Sequence, residues 1–233
     1  GIWKDDTLRY TGGLGKGLVK MDYYGRSGNM REFENGGIRF ETDAVFFIQE
    51  IQARLWGSNF FAGLGYSLVD TANKFSRHAE ELTHDRPGLE FDRRTASFNA
   101  LLSYDSRDNI FTPSNGLASE IKAMFFDDAW GSDDVFQKYL ASFLYYNPLT
   151  DNLVLGLRGD AKTIDGNAPF YAYPYVDMRG IKAMQYQGEM TLLGEFELRW
   201  SFTSRWALVG FGGAGKAFNE GEREDSDVIY SKG

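Results

Sequence analysis

What most limits the folds open to this chain is a pattern of alternation. Leu153, Leu155 and Leu157 take turns with Val154, Gly156, Arg158, Asp160 and Lys162, and Phe196, Leu198 and Trp200 take turns with Glu195, Glu197 and Arg199. A period of two puts one set on each face of a β-strand, so one face is apolar and the other charged. Such runs recur along the whole chain, bounded by glycine, asparagine, serine and proline. They predict nine strands, at about 7–24, 38–56, 60–71, 93–104, 117–126, 135–146, 153–162, 189–200 and 206–218. Several exceed the roughly 5–6 residues of an ordinary globular strand and reach the roughly 9–11 that a tilted membrane strand needs.

Alternation alone fits two settings equally. A soluble sandwich turns its charged face to water, whereas a membrane barrel turns its apolar face to lipid and its polar face to a lumen. Connections near residues 57, 150 and 203 are short, and those near 30, 80, 130 and 175 are long and polar. Short and long alternate, as hairpin turns on one side of a membrane and loops on the other would, although the 105–116 turn is long for its slot. Composition agrees. Mean hydropathy is -0.40, yet aromatics make up 16% of the 233 residues and glycine supplies 27 of them. Alternating faces cancel in a hydropathy average while keeping aromatics abundant. Strand length and loop asymmetry therefore favour an antiparallel transmembrane β-barrel over the sandwich.

Residues 105–116 read DSRDNIFTPSNG. Asp105, Arg107, Asp108, Asn109, Phe111, Pro113 and Gly116 match the D-x-R-D-N-x-F-x-P-x-x-G pattern of the Omp85 superfamily, the outer-membrane barrels related to bacterial surface antigen D15. Met178, Arg179, Gly180 and Ile181 resemble that family's V-R-G-F/Y loop motif, and 192–200 and 206–216 resemble the strands that follow it. The resemblance implies a barrel in the bacterial outer membrane, acting in protein insertion, assembly or translocation. It implies partners among membrane lipid, client outer-membrane proteins and periplasmic or lipoprotein factors, with no covalent chemistry and no cofactor. It also implies that the loop folds back into the barrel, with Arg179 at its tip and Glu197 as carboxylate partner. Two departures stand out. Ile181 replaces an aromatic, and Gly213 stands where relatives place an aspartate; the resemblance then implies either a looser clamp or one in which Glu195 shares the work of Glu197.

Other chemistry finds little support. A net charge of -8 argues against a nucleic-acid binder, and the absence of cysteine removes disulfides and thiolate metal sites. Residues 210–216 nearly spell a phosphate loop, but Ala217 lacks the hydroxyl that would hold magnesium. The glycines at 13, 15, 17, 213 and 215 are read instead as thinning a strand face for an inserted loop. His78 and His84 lack zinc-ligand spacing, and the expectation there is a solvated loop. Tyr171, Tyr173 and Tyr175 are expected to pack the long loop against the barrel interior. Trp3, Trp56, Trp200 and Trp206 sit at strand ends, as an interfacial girdle would. Residues 1–218 are taken as barrel and 219–233 as an acidic loop or tail. No leader of the basic-then-apolar kind opens the chain, so one is expected to have been cleaved or to lie upstream. Nine is odd and an open sheet in lipid leaves bare amides, so the chain is expected to be an internal portion of a larger barrel.

Overall fold

The computed structural model describes residues 2–3, 6–24, 38–75, 92–219 and 228–233. Eleven strands follow one another: β1 Ile2–Trp3, β2 Leu8–Tyr23, β3 Ile38–Arg54, β4 Phe60–Phe75, β5 Asp92–Asp105, β6 Gly116–Phe126, β7 Phe136–Thr150, β8 Leu153–Gly166, β9 Met190–Ser201, β10 Ala207–Phe218 and β11 Ile229–Lys232. All belong to one sheet in which each strand pairs antiparallel with its sequence neighbours. Consecutive hairpins give this up-and-down order because each turn delivers the next strand to the free side of the last.

The register sorts the side chains onto two faces. Leu14, Leu18, Phe47, Ile51, Leu64, Leu102, Ile121, Phe143, Phe196 and Leu208 share the outer face and are exposed. The inner face carries Arg9, Glu50, Gln52, Ser97, Asn99, Glu120, Lys122, Arg158, Asp160, Glu195, Glu197 and Arg199. An apolar outer face and a charged inner one suit a sheet whose outside solvent is hydrocarbon. The sheet is curved enough for inner residues to meet across several strands. Lys122 of β6 bonds Glu50 of β3 at 2.5 Å, passing over Gly65 of β4, where the absence of a side chain leaves room.

Along β4 the outer positions run Phe60, Ala62, Leu64, Tyr66 and Leu68 before Asp70. At a rise of about 3.3 Å per residue that is roughly 26 Å of apolar surface along the strand; a tilt of about 35–45° makes it a band roughly 20 Å tall, of the order of the ~25 Å band of membrane barrels. Charged pairs mark its upper limit on the outer face: Lys16–Asp43 at 3.0 Å and Arg94–Asp70 at 2.6 Å. Trp130 lies on the outer face inside this limit, 5.7 Å from the Phe98 ring. At the opposite limit Trp56, Trp200 and Trp206 are exposed. Aromatic rings at both limits are the arrangement expected of a bilayer girdle.

Several boundaries differ from the sequence reading. There are eleven strands among the described residues, not nine, because Ile2–Trp3 and Ile229–Lys232 add short ones. The latter lies in the stretch read as an acidic tail; Ile229 to Lys232 pair with Gly215 to Gly212. The turn expected at 147–152 shrinks to two residues, since β7 continues through Pro148 to Thr150 with a bulge that absorbs the proline. No ladder joins β11 to β1 among the described residues. His78 and His84 lie outside the described residues.

Candidate functional site

The connection between β8 and β9 turns inward and fills one side of the lumen. Apolar residues drive that inward turn. Phe170, Ala172, Tyr173, Val176, Met178 and Met184 are all buried, and each packs on wall residues. Phe170 meets Phe40 of β3, Tyr173 lies among Phe126, Phe136 and Ile164, and Val176 with Met178 covers Leu193 and Ala217. Tyr171 and Tyr175 also join this packing, both against the Phe40, Phe170 and Met184 cluster, and Lys162 lies 5.8 Å from the Tyr175 ring. Of the glycines read as making way for a loop, Gly215 does so: a Cβ there would stand 2.6 Å from Val176 Cγ1. Gly15 is instead roofed by the Phe46 ring, and Gly17 faces open space.

At the end of this segment Gly180 adopts a φ of +81°, which an L side chain rarely takes, and lets the chain reverse directly after Arg179. The Arg179 guanidinium donates to Glu197 through Nη1 at 2.7 Å and stands 3.6 Å from Glu195 through Nε. Its backbone N–H also reaches Glu195 at 3.4 Å. Glu195 and Glu197 lie two apart on the inner face of β9, so both point at the same approaching cation. Met178 is buried beside this contact, and Ile181 packs against the same apolar cluster.

Three further residues complete the geometry. Phe211, opposite Glu197 in the β9–β10 register, lies under the guanidinium with its ring centroid 3.9 Å from Arg179 Cζ. Arg158 of β8 donates to the other oxygen of Glu195 at 2.9 Å and to Asp160 at 2.5 Å. Asp177 stands 3.8 Å from Arg158. Two arginines thus share one carboxylate whose side chain is only 2% exposed. Burying Glu195 is tolerable because charge-assisted bonds reach both of its oxygens. Gly213, directly across from Glu195, supplies the space its side chain occupies. The pairing register, invisible to strand periodicity, is what assigns Arg158 and Phe211 to the site.

The motif at 105–116 forms a second structure, at the short-turn end. Arg107 holds Asp105 with two bonds of 2.9 Å each. Asp108 Oδ1 accepts the Ser114 N–H at 2.9 Å, and Asn109 Oδ1 accepts the N–H groups of Phe111 and Thr112 at 2.8 and 3.2 Å. The Ser114 N–H, with the Asn115 and Asn109 N–H groups, holds the Asp108 carboxyl below its usual range. Gly116 has a φ of +109°, and a Cβ there would stand 2.4 Å from the Ser106 carbonyl oxygen. Arg199 of β9 reaches the Pro113 carbonyl at 2.6 Å, and Arg9 of β2 stands 3.8 Å from Asp105. The turn is therefore tied to two separate parts of the wall, while Phe111 at its tip is exposed. None of its residues touches the Arg179 cluster; the two motifs occupy different places on the barrel.

Comparison with known proteins gives the family and the fold. A model of the Omp85 superfamily domain matches residues 4–230. The chain belongs to the Omp85 superfamily. Its fold is similar to the crystal structure of BamA from Haemophilus ducreyi lacking POTRA domains 1–3, with a TM-score of 0.56 and 15% identity. That match covers 93% of this chain and 48% of the BamA chain, so the present chain spans about half the length of its structural neighbour. No curated protein matches. The all-β antiparallel sheet is the barrel type of this family. The chain is an Omp85-type outer-membrane barrel by family.

Proposed function

We propose that this Omp85-type barrel resides in the bacterial outer membrane and assists insertion, assembly or translocation of other outer-membrane proteins. The observation that carries the reading is the inward loop with Arg179 seated between Glu197 and Glu195 above Phe211. A loop so held keeps the β8–β10 wall in one shape, and a weak or absent strand seam would admit a client strand by β-augmentation. Met178, Gly180 and Ile181 set the loop's position, and the 105–116 turn fixes the mouth on the other side. No bond-making step is assigned to any residue. Lipid is the immediate partner; client barrels and periplasmic or lipoprotein factors would be the others.

The test is depletion of the protein in its host, followed by quantifying other outer-membrane barrels. Their loss, rescued by the wild-type chain and not by Arg179→Ala, supports the reading; unchanged levels refute it. A second reading, a plugged structural barrel, is favoured by the three apolar clusters that the loop builds against the walls. It predicts envelope defects without loss of other barrels. Steady single-channel steps in a planar bilayer would instead identify a passive solute pore.

A further inference from the structure

Two lysines on the lumen wall have no carboxylate of their own. Leu140, on the inner face of β7, pairs with Lys122 of β6 on one side and with Lys162 of β8 on the other. Lys138 is the next inner position of β7 toward the long loops, and it pairs with Met124 and Ile164. Three lysines thus surround Leu140. Lys138 and Lys162 are diagonal neighbours, which stand about 7–8 Å apart and within reach of one another's long side chains. The charge of Lys162 acts on Lys138.

The carboxylates of this wall are engaged elsewhere. Glu50 holds Lys122 at 2.5 Å, and Arg158 takes Asp160 at 2.5 Å and Glu195 at 2.9 Å. Glu120 sits one row nearer the turns, across from Ser142. Among the described residues Lys138 and Lys162 form neither an ion pair nor a side-chain hydrogen bond. Lys162 has the Tyr175 ring at 5.8 Å, near the ~6 Å limit of a cation–π contact. Both lysines are half-buried, and the partners of Lys138, Met124 and Ile164, belong to the apolar cluster of Phe126, Phe136 and Tyr173. Like charges side by side on a partly apolar wall are costly, and an anion between them relieves that cost. A lysine suits a phosphate group as a point charge, and a dianion neutralises two of them at once.

We infer that Lys138 and Lys162 form a lumen site for an oxyanion of the phosphate class, free in the lumen water or carried on a lipid headgroup. The site lies wholly on the β7–β8 wall and does not depend on the protein's role toward other barrels. Its occupant completes the charge balance of the wall, as Glu50 does for Lys122.

The test titrates the purified barrel with inorganic phosphate, in a detergent that carries no phosphate and with chloride holding the ionic strength constant. Calorimetry reads binding, and the heat-denaturation midpoint reads stability. Wild type binds one phosphate per chain, and its midpoint rises with phosphate concentration. Lys138→Met and Lys162→Met each weaken binding about tenfold and remove most of that rise, whereas Lys138→Arg and Lys162→Arg keep both. Lys20→Met, which deletes an outer-face lysine bonded to Glu41 at 2.6 Å, changes neither. In chloride alone the methionine variants are at least as stable as wild type, because each deletes a repelling charge. A second titration with dihexanoyl phosphatidic acid separates the sources. Binding tighter than that of inorganic phosphate, and lost in the same variants, assigns the headgroup; equal or weaker binding assigns the free anion. No phosphate binding by wild type overturns the site, as does equal binding by wild type and the Lys138→Met/Lys162→Met double variant. Methionine variants that lose stability in chloride alone also overturn it, since the lysines then serve the fold without an anion.

Discussion

Gly213→Ala is the sharpest probe of the clamp, because it adds one carbon at the point where the charges are most crowded. A Cβ on Gly213 would stand 2.6 Å from Glu195 Cγ and 2.9 Å from the Gly194 carbonyl oxygen. Neither contact is tolerable, so Glu195 has to swing away from β10. Overpacking of this kind costs about 1–3 kcal/mol. Moving Glu195 also lengthens its bonds to Arg158, now 2.9 Å, and to Arg179. A charge-assisted bond contributes about 1.5–3 kcal/mol when dry, and Arg158 and Arg179 keep 31% and 40% of their side chains exposed. Solvent screening therefore cuts that share to about 1 kcal/mol. The sum is about 2–4 kcal/mol, measured by urea titration in detergent micelles with the mobility shift of the folded barrel as readout. Gly210→Ala is the control: it lies on the same strand, and its nearest neighbour would be an oxygen at 3.9 Å, so it should change stability by less than about 0.5 kcal/mol. In a Glu195→Ala background the cost of Gly213→Ala should fall by more than half, leaving the contact with Gly194. A neutral Gly213→Ala, or a cost unchanged by removing Glu195, would refute the reasoning.

Three other outcomes follow from the same geometry. Arg179→Ala and Glu197→Ala should each destabilise by about 1–2 kcal/mol, with a coupling near 1 kcal/mol in the double-mutant cycle; strictly additive losses would mean that the pair does not act together. Gly116→Ala should cost about 3 kcal/mol or more, since it combines a left-handed φ with a contact against the Ser106 carbonyl; urea midpoints measure it, and a cost under 1 kcal/mol contradicts the turn. The Asp108 carboxyl sits below its ordinary range in the folded turn because the Ser114 and Asn115 backbone N–H groups favour the charged form. Its contribution is therefore complete above the unfolded carboxylate pKa and is lost as pH falls through the lower, folded one. Protection of the Ser114 amide, relative to its intrinsic exchange, should fall over that acidic window and should already be lost at neutral pH in Asp108→Ala; pH-independent protection would oppose this account.

Strand periodicity made the faces legible before any pairing was known. The apolar series Leu153, Leu155, Leu157 and the charged series Glu195, Glu197, Arg199 lie on opposite surfaces of one sheet because a strand alternates at period two. Ends were harder. Pro148 reads as a terminator, yet β7 passes through it with a bulge, since a proline on a strand is harmless wherever its missing N–H breaks no required bond. The pairing of Ile229–Lys232 with β10 was hidden for a different reason: four residues are too few to display alternation.

The site was legible only where a motif named it. Arg179, Glu195 and Glu197 could be nominated from sequence order, but Arg158 and Phe211 enter through registers that place them beside Glu195 and Glu197 from neighbouring strands. Register is set by turn length and by which face must be apolar, so it emerges from the whole hairpin series rather than from any local string. This bears on Gly213. In a sequence alone, glycine in place of an aspartate reads as a weakened clamp, because a carboxylate has been lost. In the fold, the vacated volume is filled by the Glu195 side chain, which moves a carboxylate into the space and brings Arg158 with it. Arg179 then meets two carboxylates on one strand and an aromatic face on the next. Gly213→Asp should consequently behave as an intrusion beside Glu195, destabilising at least as much as Gly213→Ala; an increase in stability would show that a carboxylate at 213 can replace the Glu195 arrangement.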